Sequence, residues 1–124
     1  MTKRRILLVE DEPALRELAE VMLRDLGYTV FEASNGREAL QVVARCNGRP
    51  LDVLVTDVVM PEMGGKKLAD HFQTSHPKTK VLFCSGYTND ALVHHGVLEP
   101  GIQFLQKPYS MQALAQKVRE VLDN

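Results

Sequence analysis

Short apolar runs alternate with helical patterns along the whole chain. Five runs rich in leucine, β-branched or aromatic residues predict strands at residues 5–9, 28–31, 51–55, 80–84 and 102–106. Apolar residues at helical spacing between and after these runs predict five helices. This alternation favours parallel β-α-β units, and the nearly continuous apolar strands indicate a sheet that helices cover on both faces.

Single residues mark several helix boundaries. The first helix follows Leu15, Leu18, Met22 and Leu26, and Gly27 lies where a helix C-terminus favours glycine. Ser34 and Asn35 can cap the second helix, and Ser110 can cap the last. In the last helix we expect four apolar side chains to face inward: Leu114, Val118, Val121 and Leu122.

Composition bounds the class of protein. The chain has 124 residues, of which 44% are hydrophobic and 25% charged, and this predicts one globular domain over residues 1–124. A net charge of −1 gives no bulk attraction to nucleic acid or to an anionic membrane. No apolar run is long enough for a membrane helix or an export signal, and two isolated cysteines fit a reduced compartment, so we expect a cytoplasmic protein.

Polar side chains follow four of the five predicted strands. Glu10 and Asp11 end the first strand, Asp57 follows the third, Ser85 the fourth and Lys107 the fifth. In parallel sheets the carboxyl ends of the strands share one edge, where ligands bind. Each residue alone has a plainer explanation as a helix cap or a turn residue, but their joint placement predicts one cluster.

That cluster has a coherent chemistry. Several carboxylates at one edge repel each other, and a hard divalent cation with oxygen ligands such as Mg²⁺ relieves the repulsion. The Asp57 carboxylate is then a candidate nucleophile toward phosphorus. Lys107 can neutralise phosphate oxygens, and the Ser85 hydroxyl can donate a hydrogen bond to one of them.

The same residues resemble the receiver domain of two-component response regulators. The resemblance rests on four stretches in chain order: ILLVEDEP at residues 6–13, TDVVMPEMGG at residues 56–65, SGY at residues 85–87 and FLQKPY at residues 104–109. It covers nearly the whole chain. It implies a flavodoxin-like (βα)₅ fold, a doubly wound α/β sandwich whose parallel strands lie in the order 2-1-3-4-5.

The resemblance also implies a metal site and a phosphorylation site. Asp57 would be phosphorylated, Asp11 and Asp57 would ligate Mg²⁺, and Val59 would offer its backbone carbonyl. Glu10 would act mostly through a bound water. No organic cofactor is implied.

Further roles follow from the same resemblance. Ser85 and Lys107 would contact the phosphoryl group, and the Lys107–Pro108 peptide would be cis. Ser85 and Phe104 would form the conformational switch, although Phe104 fits a plain core role equally well. The side chains of Val59 and Tyr87 do not suit the orientation of an attacking water. We therefore expect the phosphoryl group to be long-lived and Val59→Asn to hasten its loss.

The predicted function is that of a signalling switch in a phosphorelay. The switch would catalyse only its own phosphorylation and dephosphorylation. A histidine kinase or a phosphotransfer domain would be the donor, and a downstream protein would bind the fourth helix, fifth strand and fifth helix. Whether the domain forms a weak homodimer is left open. The sequence around Ser85 and Lys107 is similar to that of receivers in hybrid sensor kinases. The alternatives are a flavodoxin-like redox or nucleotide-binding module, which acids after the first strand disfavour, and a pseudo-receiver that only docks partners.

Overall fold

The computed structural model describes residues 3–46 and 49–124 and alternates five strands with five helices. The strands are β1 (Arg5–Val9), β2 (Thr29–Ala33), β3 (Val53–Asp57), β4 (Lys80–Ser85) and β5 (Phe104–Gln106). The helices are α1 (Pro13–Asp25), α2 (Gly36–Arg45), α3 (Gly65–Ser75), α4 (Asn89–His94) and α5 (Met111–Asp123).

The strands form one parallel sheet in the order β2-β1-β3-β4-β5. The chain therefore winds outward from β1 to β2, crosses back to β3 and continues to β5, as in flavodoxin-like proteins. The predicted fold class is confirmed. The carboxyl ends of β1 and β3, where the winding reverses, lie side by side.

Helices bury apolar residues against both faces of the sheet. Alternate residues of β1 point to opposite sides: Ile6 and Leu8 pack with α1 and α5, whereas Leu7 and Val9 pack with α2 and α3. A third and smaller cluster joins five buried residues of the β3–α3 loop, α3, β4, α4 and the chain after α4: Val58, Ala69, Phe83, Leu92 and Leu98. None of the helices in the described ranges has the length and hydropathy that crossing a membrane requires.

The predicted caps and the buried face of α5 are confirmed. Asn35 accepts a hydrogen bond from the Glu38 N–H, and Ser110 accepts one from the Ala113 N–H. Gly27 has a φ of 97°, which glycine adopts without a Cβ penalty. All four apolar residues expected to face inward from α5 are buried.

Strand bounds differ from prediction where pairing decides them. β3 was predicted over residues 51–55 but runs from Val53 to Asp57, because Thr56 and Asp57 pair with Phe83 and Cys84 of β4. An apolar pattern cannot show that two polar residues continue a ladder. β5 is shorter than predicted, since only three of its residues pair with β4.

Helix α1 forms as predicted, but the side chains that it buries against the sheet differ from the predicted ones. Ala19 and Leu23 are fully buried against the sheet, whereas Leu18 and Leu26 are 59% and 55% exposed. With Val21, which is 52% exposed, they form an apolar strip on the outside of the helix, here called the α1 face.

Candidate functional site

The carboxyl ends of the strands carry the polar residues that the sequence singled out. Asp57 is the last residue of β3 and Ser85 the last of β4, and both are buried. Glu10 directly follows β1 and is also buried, with 2% of its surface exposed. Lys107 directly follows β5. Because all five strands are parallel, these groups meet at one rim of the sheet.

Lys107 joins the two halves of this rim. Its Nζ lies 2.6 Å from Glu10 Oε1 and 2.7 Å from Asp57 Oδ1. The other oxygen of Glu10 accepts a hydrogen bond from the Glu12 N–H at 3.1 Å. The Lys107 side chain, which follows the edge strand β5, thus reaches the residue after β1 and the last residue of β3.

Three carboxylates at the rim could hold a metal ion. Glu10, Asp11 and Asp57 each offer an oxygen, and these oxygens lie within 4.8 Å of one another. Asp57 Oδ2 is buried and has no hydrogen-bond partner among the described residues. When ionised, the three carboxylates leave two negative charges that Lys107 does not balance. An all-oxygen cluster with this excess charge fits a hard divalent cation.

Burial and the neighbouring charges together shift the pKa values of the cluster. Burial, reinforced by the neighbouring Glu10, raises the pKa of Asp57 to about 8. Partial burial alone would raise the pKa of Asp11, but hydrogen bonds with Asp57 and Glu10 outweigh it and lower that pKa. Burial likewise opposes the charge of Lys107, yet its contacts with both carboxylates raise its pKa and keep it an ammonium. The metal-free cluster therefore tends to retain a proton on Asp57.

The backbone after Asp57 is held tightly by the start of α3. The Gly65 N–H donates to the Val58 carbonyl at 2.8 Å, and a Cβ on Gly65 would overlap the Asp57 carbonyl oxygen. The Val58 N–H donates to the Cys84 carbonyl at 2.9 Å. The Val59 side chain is 61% exposed at this rim, whereas a metal-ligating role for its carbonyl stays a prediction.

The residues predicted to contact phosphate and to switch lie on β4, β5 and their loops. Ser85 Oγ accepts a hydrogen bond from the Tyr87 N–H at 3.0 Å, which leaves its own proton free to donate elsewhere. Tyr87 is 64% exposed, and the Lys107–Pro108 peptide is cis as the resemblance implies. Phe104 is half-buried and packs on the third apolar cluster, so it contributes to a core whether or not it switches.

Two residues to which the sequence reasoning gave no role also support the rim. Arg16 Nη1 donates to the Glu10 backbone carbonyl at 2.8 Å, and the buried Thr56 hydroxyl donates to the Asp57 carbonyl at 3.0 Å. Both act on the backbone of an acidic residue. Arg16 had a signal in the sequence: a cation near the start of a helix opposes the helix dipole and needs another reason to be there.

Comparison with known proteins agrees with this geometry. A family model for the response regulator receiver domain matches residues 6–119. The sensor kinase CckA of Brucella abortus is 42% identical over 118 residues, which are 95% of this chain but only 12% of CckA. The response regulator receiver protein CpdR of the same organism is 32% identical over 119 residues, 96% of this chain and 97% of CpdR. The chain thus spans a small part of one relative and nearly all of the other.

A solved structure gives the same result. The crystal structure of the receiver domain from the hybrid histidine kinase CckA superposes with a TM-score of 0.78 at 39% identity and covers 95% of this chain and 98% of that one. Four motifs, the strand order and the acid-lysine rim all agree with the family match. The chain belongs to the response regulator receiver domain family of two-component signalling proteins.

Proposed function

We propose that this chain accepts a phosphoryl group on Asp57 from a phosphohistidine of a partner protein and signals through the resulting change of shape. The observation that carries the proposal is the Lys107 ammonium within 2.7 Å of Asp57 Oδ1 and 2.6 Å of Glu10 Oε1. Holding a cation against the buried carboxylates of Glu10 and Asp57, with the exposed carboxylate of Asp11 beside them, is costly unless the site binds something.

The transfer breaks one bond and forms another. A carboxylate oxygen of Asp57 attacks phosphorus, the phosphorus–nitrogen bond to the donor histidine breaks, and its electron pair stays on the imidazole, which then takes up a proton. In the metal-free cluster burial raises the pKa of Asp57 to about 8, so without a cation the carboxyl must lose its proton before it attacks. A divalent cation supplies charge neutralisation for the phosphoryl oxygens.

The other rim residues have separate tasks. Asp11 and Asp57 would ligate Mg²⁺ directly, with the Val59 carbonyl, and Glu10 would act through water. Lys107 holds the attacking carboxylate and then faces the phosphoryl oxygens, and the Ser85 hydroxyl donates to one of them. The chemistry is confined to phosphorylation and dephosphorylation of the chain itself.

The downstream protein would bind the surface formed by α4, β5 and α5, whose shape would change on phosphorylation. Ser85 and Phe104 lie on neighbouring strands, and Phe104 packs on the cluster that contains Val58, the residue after Asp57. We further propose that residues 1–124 form one receiver domain that works in the cytoplasm, as part of a hybrid kinase or as a separate regulator.

Mass spectrometry tests the proposal directly. The protein is incubated with Mg²⁺ and acetyl phosphate, and the intact mass is measured. We expect a gain of one phosphoryl group that Asp57→Asn abolishes and that Asp25→Asn, at an exposed position, leaves unchanged. Labelling of the Asp57→Asn variant to the same extent would place the phosphoryl group on another residue, whereas failure of Mg²⁺ to bind at all would favour the pseudo-receiver.

A redox or nucleotide-binding module at the same rim is a weaker candidate. Such modules hold phosphate with hydroxyl and amide groups after the first strand. Here Glu10 and Asp11 occupy that position, and their carboxylates repel a ligand phosphate unless a cation lies between them.

A further inference from the structure

A groove rich in arginine borders the edge strand β2. It has a volume of about 530 Å³ and is lined by four arginines, Arg5, Arg24, Arg45 and Arg49, together with one carboxylate, Glu32. These residues come from β1, α1, β2, the end of α2 and the chain beyond it. None of them belongs to the rim around Asp57.

Two of the arginines are held in place. The Arg5 guanidinium lies 4.9 Å from the centre of the Phe31 ring, and its Nη1 donates to the Pro50 carbonyl at 3.0 Å. Arg24 donates to the Val30 carbonyl of the edge strand at 3.0 Å. Fixed guanidinium groups lose less conformational entropy when a ligand binds.

The positive charge of the groove is not balanced within the described part of the chain. Arg24 pairs with Glu20 at 2.8 Å, but no carboxylate of the described residues lies within 4.0 Å of the Arg5, Arg45 or Arg49 side-chain nitrogens. The whole chain carries a net charge of −1, so a surplus of cations here is a local feature. Unpaired cations around a concave surface attract anions.

The lining narrows the class of anion. Guanidinium groups bind phosphate through paired hydrogen bonds, and the apolar side chains of Phe31 and Val42 offer a wall for a ring. A peptide strand added to β2 is disfavoured, because Arg24 already occupies the outward carbonyl of Val30. We infer that this groove binds a small phosphorylated ligand of nucleotide size, independently of phosphorylation at Asp57.

An NMR titration of the whole chain tests the inference. ADP and inorganic pyrophosphate are added in separate experiments without Mg²⁺, so that the acidic rim repels both probes. We expect saturable shifts of the amide signals of Phe31, Val42 and Arg45, weaker binding at higher salt, and tighter binding of ADP than of pyrophosphate.

Charge reversal provides the matched comparison. The double variant Arg45→Glu, Arg49→Glu should lower the affinity for ADP about tenfold or more. Arg37→Glu, which reverses the charge of another exposed arginine of α2 outside the groove, should leave the affinity unchanged. Circular dichroism checks that each variant folds.

Three results would overturn the inference. They are shifts that map to Glu10, Asp57 and Lys107 rather than to β2, an equal loss of affinity in Arg37→Glu, and the absence of saturation at millimolar ADP. Equal affinity for the two probes would exclude a nucleotide-sized ligand.

Discussion

Arg16 shows how a residue outside the rim can set the position of the acids within it. Its guanidinium donates to the Glu10 backbone carbonyl at 2.8 Å and so joins α1 to the loop that carries Asp11. The contact fixes backbone, so it acts on the placement of the carboxylates and not on their charge. Residues that support metal ligands in this way affect metal affinity strongly.

We therefore expect Arg16→Ala to weaken Mg²⁺ binding about tenfold. A Mg²⁺ titration followed by NMR measures the dissociation constant. Arg119→Ala, which removes an exposed arginine of α5, is the control and should bind Mg²⁺ as the unmodified protein does. Equal dissociation constants for the two variants would assign Arg16 a structural role only.

At the scale of elements, the start of α3 constrains the backbone at the end of β3, the strand that carries Asp57. Gly65 begins this helix directly against the Asp57 carbonyl, where no side chain fits. Gly65→Ala must displace α3 or the end of β3, and such overpacking costs about 1–3 kcal/mol of unfolding free energy. Phosphorylation by acetyl phosphate should slow as well, because Asp57 moves with its backbone.

Chemical denaturation and the rate of mass gain measure these two effects. Gly86→Ala is the matched control for stability, since a Cβ there meets no atom within 4 Å and its φ is not in the left-handed region. A Gly65→Ala variant as stable as Gly86→Ala would show that the junction can relax freely.

The α1 face is an exposed apolar surface next to the rim. Leu18, Val21 and Leu26 are all more than half exposed, and a groove of about 560 Å³ continues from Leu18 past Gly86 to Lys107. We expect a donor protein that brings its histidine to Asp57 to lie against this side of the rim. Exposed apolar strips of this kind mark protein contacts.

Leu18→Glu should therefore slow phosphoryl transfer from the histidine-phosphorylated donor protein about tenfold, because it places a charge in the contact. The rate with acetyl phosphate should not change. Val97→Glu, at an exposed apolar position beyond α4, is the control for the substitution itself. Equal transfer rates in both variants would place the donor elsewhere.

At the scale of the whole molecule, the rim lowers the stability of the metal-free fold. The pKa of Asp57 is about 8 when folded and near its ordinary value of 3.8 when unfolded, so the folded state holds the proton more tightly. The contribution of Asp57 to folding is then complete below about pH 4 and is lost as the pH rises toward 8.

Thermal unfolding tests this prediction. Without metal, Asp57→Asn should raise the melting temperature, by about 4 °C per kcal/mol, and more at pH 8 than at pH 5. Saturating Mg²⁺ should stabilise the unmodified protein and have less effect on the variant. A difference in melting temperature that does not depend on pH would contradict a raised pKa of Asp57 in the folded state.

The sequence predicted much of this architecture and less of its detail. Polar residues after apolar strands are visible in a sequence, so Glu10, Asp57 and Lys107 could be assigned to one edge. The contacts of Arg16 and Arg24 with carbonyl oxygens could not be predicted, since no pattern specifies where a long side chain ends. The orientation of α1 was also hidden, because leucines at helical spacing occur on both its buried and its exposed sides.

The small apolar cluster beneath β4 and β5 has a consequence for the energetics of signalling. Five buried side chains, among them Val58 beside Asp57 and Leu92 of α4, form a cluster of their own that shares the partly buried Val81 with one of the two larger cores. The Val58 side chain packs within this small group, so a displacement of that side chain falls first on these neighbours. We therefore expect phosphorylation at Asp57 to reach α4 through repacking of a few side chains, with the two larger cores left in place.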